Sequence, residues 1–505
     1  MMSTTSRTEP RTYGGWRRRR AIGLLGLGTG GTLALMGALV LVIVSGAVSL
    51  HALLVAGPCA LVVGALTVVR VHGVPLGQLA LQHSRWWYAA KRGYTKYTAG
   101  VVIDHPRAFQ LPGVLAPTTL LSAEDGLGGR YGLVWDRRTG LLTATLRVVP
   151  TSTWLAERAD TDQWVANWGS WLAGLGHMPM IRWVTVTCDT APEPGYTLTN
   201  AVASSLAPDA PPQARDILHQ LVLTAPNAAA DVDTRVSITF DPSASPAAPK
   251  DLTAAAAEVG RALQGLESAL GTCGVTVVGR ATADEIAGFV RTAFDPHARG
   301  EINRLLERHR GGPTGSDAES ADGIGYMDAG PVGAEDHYDR YVHDGGVSVT
   351  WAWHEAPRSN VHADVLARLV SPGLFAKRVT MQYRPLPAME ATRVLESEVN
   401  AATFRRHYRN RTGRDETARD AHDQARAQQA AAEEAMGAGV VLLALYVTTT
   451  VTSDGDLPRA VSDTEASAEA SRIRLRRMWN SQAAAFAATL PCGICPAELA
   501  RRWPH

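Results

Sequence analysis

No aspartate or glutamate occurs between Pro10 and Ile103 of this 505-residue chain. Ordinary soluble domains are about a quarter charged, with both signs mixed, so a long stretch with basic charge alone points to a different solvent. The phosphate-cradling motif G-x-x-x-x-G-K-[ST] is also missing from the whole sequence, which excludes ATP hydrolysis of the P-loop kind. Cysteine is scarce: there are five, scattered except for Cys492 and Cys495, which excludes a disulfide framework and fits reduced thiols in a cytosol. Excess charge is lacking too, since the net charge is +1. Without a basic surplus there is no global attraction to nucleic acid, and no direct nucleic-acid binding is expected.

What fills the acid-free stretch is an apolar run from Ala21 to Val69 in which His51 is the only acidic or basic side chain. A bilayer core takes about 20 apolar residues per helix, so the run predicts two transmembrane spans, roughly 21–44 and 52–69, joined by a turn between Ser45 and His51. The flanks set the orientation. Arg17, Arg18, Arg19 and Arg20 precede the first span, and Arg70, Arg85, Lys91 and Arg92 follow the second. Lys and Arg near the ends of spans stay in the cytosol, so a multi-pass protein of the cell (inner) membrane is expected, with both termini and everything after the hairpin in the cytosol.

Two other readings of the run compete with this one. Basic residues before an apolar segment also describe a secretory signal, with cleavage near Ala47 or Ser49; the second span would retain the protein regardless. GLGTGG at Gly26–Gly31 matches G-x-G-x-x-G, but no strand precedes it and no ribose-binding acid follows at the right distance. Small residues in a span serve close helix packing.

The rest of the chain reads in order. Residues 1–20 form a basic tail in which TYGGW, Thr12–Trp16, places an aromatic anchor beside the arginines. Residues 71–100 hold an amphipathic helix with Leu76, Leu79, His83, Trp86 and Ala90 on one stripe and Trp87 and Tyr88 beside it. Trp and Tyr concentrate at headgroup depth, which favours an interfacial helix over one packed on the next domain. A first α+β unit spans 101–308. It opens with a hairpin of strands 131–136 and 141–149, a tryptophan-bearing helix (Trp154, Trp164, Trp168, Trp171) capped by Thr151 or Ser152, and a strand at 180–190. Helices at 210–223, 251–270 and 282–293 then alternate with strands at 232–240 and 274–280. A Gly/Ser/acid-rich exposed loop is expected within 309–335. The second unit, 336–505, repeats the β-β-α-β order, with a strand at 346–355, a helix at 360–370 and a strand at 374–385.

From Pro387 to Met436 the sequence is dominated by Ala, Arg, Glu and Gln with no internal proline. These are good helix formers, predicting one or two long helices; continuous, they would reach about 75 Å. Arg405, Arg406, Arg409 and Arg411 would charge one side, with Glu433 and Glu434 near the end. A strand at 439–452 follows, then LPRAVSDTEASAEASRIRLRRMW as a helix and SQAAAFAATLPCGICP as the close.

That order, a long Ala-rich helix, a strand ending in VTTTVTSDGDL, a helix and RLRRMWNSQAAAFAATLPCGICP, resembles the N-terminal region of the motor ATPases of type IV secretion and conjugation systems. The opening TYGGWRRRR, the two spans and the Trp-rich follower are similar to a membrane protein found beside such motors in actinobacterial conjugative elements. Where the motor family continues into a nucleotide-binding domain, this chain ends at His505. The resemblance implies a non-enzymatic anchor that docks a separate motor ATPase and other membrane subunits, with homo-oligomers admissible. A type VII secretion component, which also includes proteins with two spans and a cytosolic domain, is the alternative.

Other chemistry is thinly signalled. Cys492-Gly-Ile-Cys495 matches C-x-x-C, and a membrane-tethered thiol oxidoreductase would use it, but it lacks the βαβ context of such enzymes and occupies the LP.G position of the resemblance. His337, His343, His354 and His362 with Asp336, Asp339 and Glu355 are the densest set of metal-ligand types, in no closed zinc spacing. No catalytic residue, metal or cofactor is expected. The fold class read from the sequence is α+β, with an N-terminal transmembrane helical hairpin before two β-β-α-β-like units and a long helix.

Overall fold

A computed structural model of the chain describes residues 13–14, 29–71, 74–100, 110–124, 129–151, 156–192, 210–224, 230–246, 248–311, 324–357, 359–411, 428–434 and 439–502, with a few isolated positions between. The fold is α+β and divides into two compact units: 15–95 with 392–436, and 1–14 with 96–391 and 437–505.

The first unit holds the apolar hairpin. Helices α1 (Thr29–Val48) and α2 (Leu50–Val68) abut at Ser49, whose hydroxyl accepts the Ala52 N–H as a cap. The turn is therefore one residue, tighter than the expected 45–51, because Ser49 supplies the cap and both helices need their full length. The short ribbon β1 (Arg70–Val71) and β2 (Val74–Pro75) leads into α3 (Leu76–Lys91).

In the second unit β3 (Lys96–Thr98), β4 (Thr118–Glu124), β5 (Arg130–Asp136), β6 (Leu142–Pro150), α4 (Arg158–Leu175) and β7 (Ile181–Pro192) come first. An excursion carrying α5 (Pro212–Thr224) follows, then β8 (Ala230–Phe240), α6 (Leu252–Leu270), β9 (Val275–Arg280), α7 (Ala283–Phe294) and α8 (Arg299–Gly311). The chain continues through β10 (Gly333–Asp336), β11 (Tyr341–His343), β12 (Gly346–Glu355), α9 (Ala367–Val370) and β13 (Ala376–Pro385). After α10 (Ala388–Arg411), which leaves this unit at Thr392, come β14 (Val441–Val451), α11 (Leu457–Ala470), β15 (Arg474–Arg477), α12 (Gln482–Ala487) and α13 (Pro496–Arg502).

All strands from β3 onward join one antiparallel sheet, ordered β3-β10-β11-β12-β14-β13-β7-β8-β6-β5-β4, with β15 on β12 and β9 on β6. The order is symmetric about the β13–β7 pair: β14 answers β8, β12 answers β6, β11 answers β5, β10 answers β4, and β15 answers β9. Among the described residues only β3 has no counterpart.

Period-two alternation splits the sheet into unlike faces. Leu142, Ala144, Leu146, Val236, Ile238 and Phe240 point to one side and pack with Leu172 and Leu175 of α4 and Val259, Leu263 and Leu266 of α6. Complete burial of side chains such as Leu146 and Phe240 contributes about 1.5–3 kcal/mol each. The opposite face carries Thr143, Thr145, Thr185, Thr187, Ser237 and Thr239, all buried. Their hydroxyls pair across strands, Thr143 with Thr239 and Thr145 with Ser237 at 2.9 Å each and Thr187 with Thr380 at 3.1 Å.

Several expectations are corrected. Helix α4 begins at Arg158, with Glu157 at its N-cap position, and Thr151 instead donates its N–H to the Gly274 carbonyl; Ser152 and Trp154 lie outside the described residues. Only the last four residues of the 360–370 segment are helical, as α9, and a turn precedes them. Within the segment expected to be helical, RLRR at Arg474–Arg477 is strand β15, because its backbone pairs with β12 from Trp351 to Glu355. The loop expected at 309–335 is folded from residue 324: Tyr326 and Ala329 are buried, and the Tyr326 hydroxyl lies 3.0 Å from Thr118 Oγ1; 312–323 fall outside the described residues. A single 75 Å helix over 387–436 is excluded, since Thr392 Oγ1 donates to Glu434 Oε1 at 2.9 Å and the segment therefore doubles back.

Candidate functional site

Among the described residues the apolar hairpin of α1 and α2 is the first candidate, and its composition suggests membrane association. Both helices are long and apolar enough to cross a bilayer, and almost none of their residues is fully buried within the protein. Leu33, Leu39, Ile43, Leu54 and Leu61 are exposed by 60% or more, which in water would leave a large bare apolar surface. Helix α3 closes on α2 where Gly77 meets Leu66: a Cβ there would approach the Leu66 carbonyl to 3.2 Å, so only a small residue allows the contact.

Of the residues expected to fix topology, those that follow the second helix are described. Arg70 and Arg85 are exposed, Trp86 is half-buried, and Trp87 and Tyr88 project outward. Lys91 Nζ sits 5.3 Å from the Trp87 ring centre, and the Arg92 guanidinium 5.4 Å from that of Tyr88. These cation–π pairs join an aromatic belt to a positive edge. Leu76, Leu79, Trp86 and Ala90 are half-buried as the expected stripe requires, but His83 on the same stripe is exposed. Arg17, Arg18, Arg19, Arg20 and the Gly26–Gly28 part of the glycine motif lie outside the described residues.

Of the TYGGW stretch, Tyr13 and Gly14 are described and Trp16, which adjoins the arginines, lies outside the described residues; Tyr13 belongs to the sheet unit. It exchanges both backbone hydrogen bonds with Val361 at 2.8 Å, and its hydroxyl donates to Asp162 at 2.9 Å, so it is bound to the sheet unit.

The second candidate is the polar face of the sheet, and the sequence reading missed it. Asp189 on β7 accepts from Arg235 Nη2 at 3.0 Å and from Arg299 Nη2 at 3.1 Å. Arg235 also pairs with Asp233, and Arg299 with Asp231, both at 3.0 Å. Arg378 stands directly across the β13–β7 pair from Asp189. Burial alone would raise the Asp189 carboxyl, but Arg299, Arg235 and Arg378 outweigh it and hold it at about 2. Arg378 is itself lowered to about 10 by burial; its Nε donates to Thr489, and its guanidinium lies 4.8 Å from the Phe486 ring.

The closing segment covers this face. Gln482 accepts the Thr350 N–H, Gln382 donates to the Ile494 carbonyl, and Gly493 packs on Thr143. Gly493 has φ +67°, and a Cβ would collide with Thr143 Oγ1, which explains glycine inside the C-x-x-C match. Cys492 and Cys495 are buried free thiols. Burial pushes Cys492 up to about 12, although the Tyr326 hydroxyl donates to its sulfur, and Cys495 up to about 11. A nucleophilic thiol requires the reverse shift.

The metal-ligand types are dispersed, with no group of three or more placed to hold an ion among the described residues. His343 is buried, its Nδ1 2.6 Å from the Phe294 carbonyl and its Nε2 2.8 Å from Ser348 Oγ. The carbonyl can only accept, so Nδ1 carries the proton and Nε2 accepts from Ser348. Burial lowers its pKa to about 4. Asp336 accepts the Ala483 N–H, His337 is 3.9 Å from Glu335, Asp339 is 3.8 Å from Arg477, and Glu355 is 4.0 Å from Arg474. His354 and His362 join none of these contacts.

No family model matches the chain. No curated protein matches it either.

Proposed function

We propose that this protein is a two-span inner-membrane component of an actinobacterial type IV-like conjugation or secretion apparatus, and that it works by assembly, docking a motor ATPase supplied as a separate chain. The observation that carries the membrane part is the pair of adjacent apolar helices with almost no fully buried residue, followed by the cation–π pairs of Lys91 with Trp87 and Arg92 with Tyr88. Same-side placement of the two ends of the hairpin is supported by Tyr13, which precedes the first helix yet pairs with Val361 of the sheet unit; the arginines on both flanks make that side the cytosol. The assembly part rests on the resemblance and on the build of the sheet unit. Its symmetric strand order is read as two copies of one β-β-α-β-based unit. Its concentrated polar groups are enclosed beneath α7, α12 and the closing segment, and its paired cysteines are buried and protonated.

The motor-docking element is the excursion between β13 and β14. Its base is closed by the Leu386 N–H on the Val440 carbonyl at 2.9 Å, so residues 388–438 can be exchanged for a short Gly–Ser linker without opening the sheet. The test is affinity capture from solubilised membranes of the ATPase encoded beside this gene. Full-length protein is expected to retain it and the linker variant to lose it, while thermal unfolding of the sheet is preserved. Equal capture by both forms would move the docking surface elsewhere; capture by neither would overturn the motor partner.

A further inference from the structure

Helix α3 is tied to the end of the second apolar helix. The Leu76 N–H donates to the Val69 carbonyl at 2.9 Å, and Gly77 lies so close to Leu66 that a Cβ would meet its carbonyl at 3.2 Å. The start of α3 is therefore held where α2 stops being apolar. Leu79, Trp86 and Ala90, on the stripe that the sequence assigns to the interface, are half-buried within the protein. The opposite side of the helix is left outward. There Leu81, Arg85 and Tyr88 recur at helical spacing with Arg92 at the C-cap, and Trp87 and Lys91 stand beside them.

This outward face is aromatic and carries charge of one sign. Leu81, Trp87 and Tyr88 are at least 50% exposed. Gly93, with φ +72°, ends the helix by returning the Tyr94 N–H to the Ala89 carbonyl, and Tyr94 is 72% exposed. No Asp or Glu occurs between Pro10 and Ile103. Among the described residues neither Lys91 nor Arg92 forms an ion pair; Lys91 lies on the Trp87 ring and Arg92 on the Tyr88 ring. A cation in the last turn complements the helix dipole, but that role needs no exposed aromatic ring beside it. Exposed Trp and Tyr interleaved with cations are the composition of a surface at headgroup depth.

We propose that this outward face of α3 binds anionic phospholipid of the cytosolic leaflet, with Lys91 and Arg92 taking the headgroup phosphate and the Trp87 and Tyr88 rings lying at headgroup depth. The inference rests on the two apolar helices spanning the bilayer. Continuity favours lipid over an acidic protein as the occupant, because the face begins where α2 ends. Each Lys or Arg near an anionic leaflet strengthens binding by roughly fivefold, so the pair supplies selectivity for charged over neutral lipid.

The test uses full-length protein in a neutral detergent, titrated with fluorescent phosphatidylglycerol and, as the neutral arm, with phosphatidylcholine carrying the same label. Wild type is expected to bind phosphatidylglycerol roughly tenfold or more tightly than phosphatidylcholine, with a preference that shrinks as salt is raised. Lys91→Gln with Arg92→Gln should abolish most of that preference, leaving phosphatidylcholine binding and thermal unfolding unchanged. Lys91→Arg with Arg92→Lys, which keeps both charges, should retain it. Equal affinity for the two lipids, or a preference untouched by the glutamine variant, would overturn the surface. Displacement of the lipid by glycerol phosphate in solution would overturn the leaflet as the source of the phosphate. Alkaline extraction of membranes separates this inference from the reading beneath it. Protein released to the supernatant would overturn the spans and the surface together, whereas protein retained in the pellet but without lipid preference would overturn the surface alone.

Discussion

Tyr13 and Val361 form a two-residue antiparallel bridge, each donating its N–H to the other's carbonyl at 2.8 Å, across the whole length of sequence that contains the apolar hairpin. Hydrogen-bonded pairs of this kind hold their Cα atoms about 5.5 Å apart. Cysteines placed at both positions should therefore be joined by a short bifunctional maleimide in intact cells. Either single cysteine alone should give no such intramolecular product. Peptide mapping of the linked chain is the measurement, and absence of the link would remove the bridge.

Asp189 is the anion on which three buried guanidiniums converge. Asp189→Asn leaves Arg235, Arg299 and Arg378 with too little negative charge, and breaking a buried pair in this way costs about 3–5 kcal/mol. Chemical denaturation should show that loss. Thr145→Val, at a neutral site of the same face, should cost about 1–3 kcal/mol from the Ser237 hydroxyl left unpaired.

His343 makes stability depend on pH with a definite sign. Its folded pKa, about 4, lies below the ordinary 6.5, so the unfolded chain binds the extra proton first. Its contribution is fully present above pH 6.5 and is lost as pH falls from 6.5 toward 4, by at most about 3 kcal/mol. The difference in unfolding free energy between wild type and His343→Asn, followed across that range, isolates this residue from the other titrating groups. A flat difference would contradict the buried neutral histidine.

Much of this architecture was legible because local pattern and tertiary role agree. Strand 346–355 and the helices near 252–270 and 283–294 carry the periodicity of the faces they bury, and the capping box of Thr282 with Glu285 marks the start of α7. The hairpin was legible from apolar length alone. RLRR at Arg474–Arg477 was not, since its arginines suit a solvated helix; it is a strand because Arg477 lies over Trp351 and Trp479 while the backbone pairs with β12. The charge cluster was hidden for a related reason. Thr185, Thr187 and Asp189 alternate with apolar residues as on a half-solvated strand, and nothing local announces that Phe486, Thr489 and Ile494, some three hundred residues later, close over them.

The cysteine pair should be inert. With both thiols buried and raised to about 12 and about 11, Ellman's reagent at pH 8 should leave Cys492 and Cys495 unmodified in folded protein and label them after denaturation. Rapid labelling of either in the native state would reopen thiol chemistry at this segment.

The central claim is that two spans anchor a sheet unit held, with the N-terminus, on the cytosolic side. Reporter fusions after Arg92 and at the C-terminus test it most directly. Both are predicted to be active with a cytosolic reporter such as green fluorescent protein and inactive with alkaline phosphatase, which requires export. Phosphatase activity from the C-terminal fusion would contradict the topology and the docking role built on it.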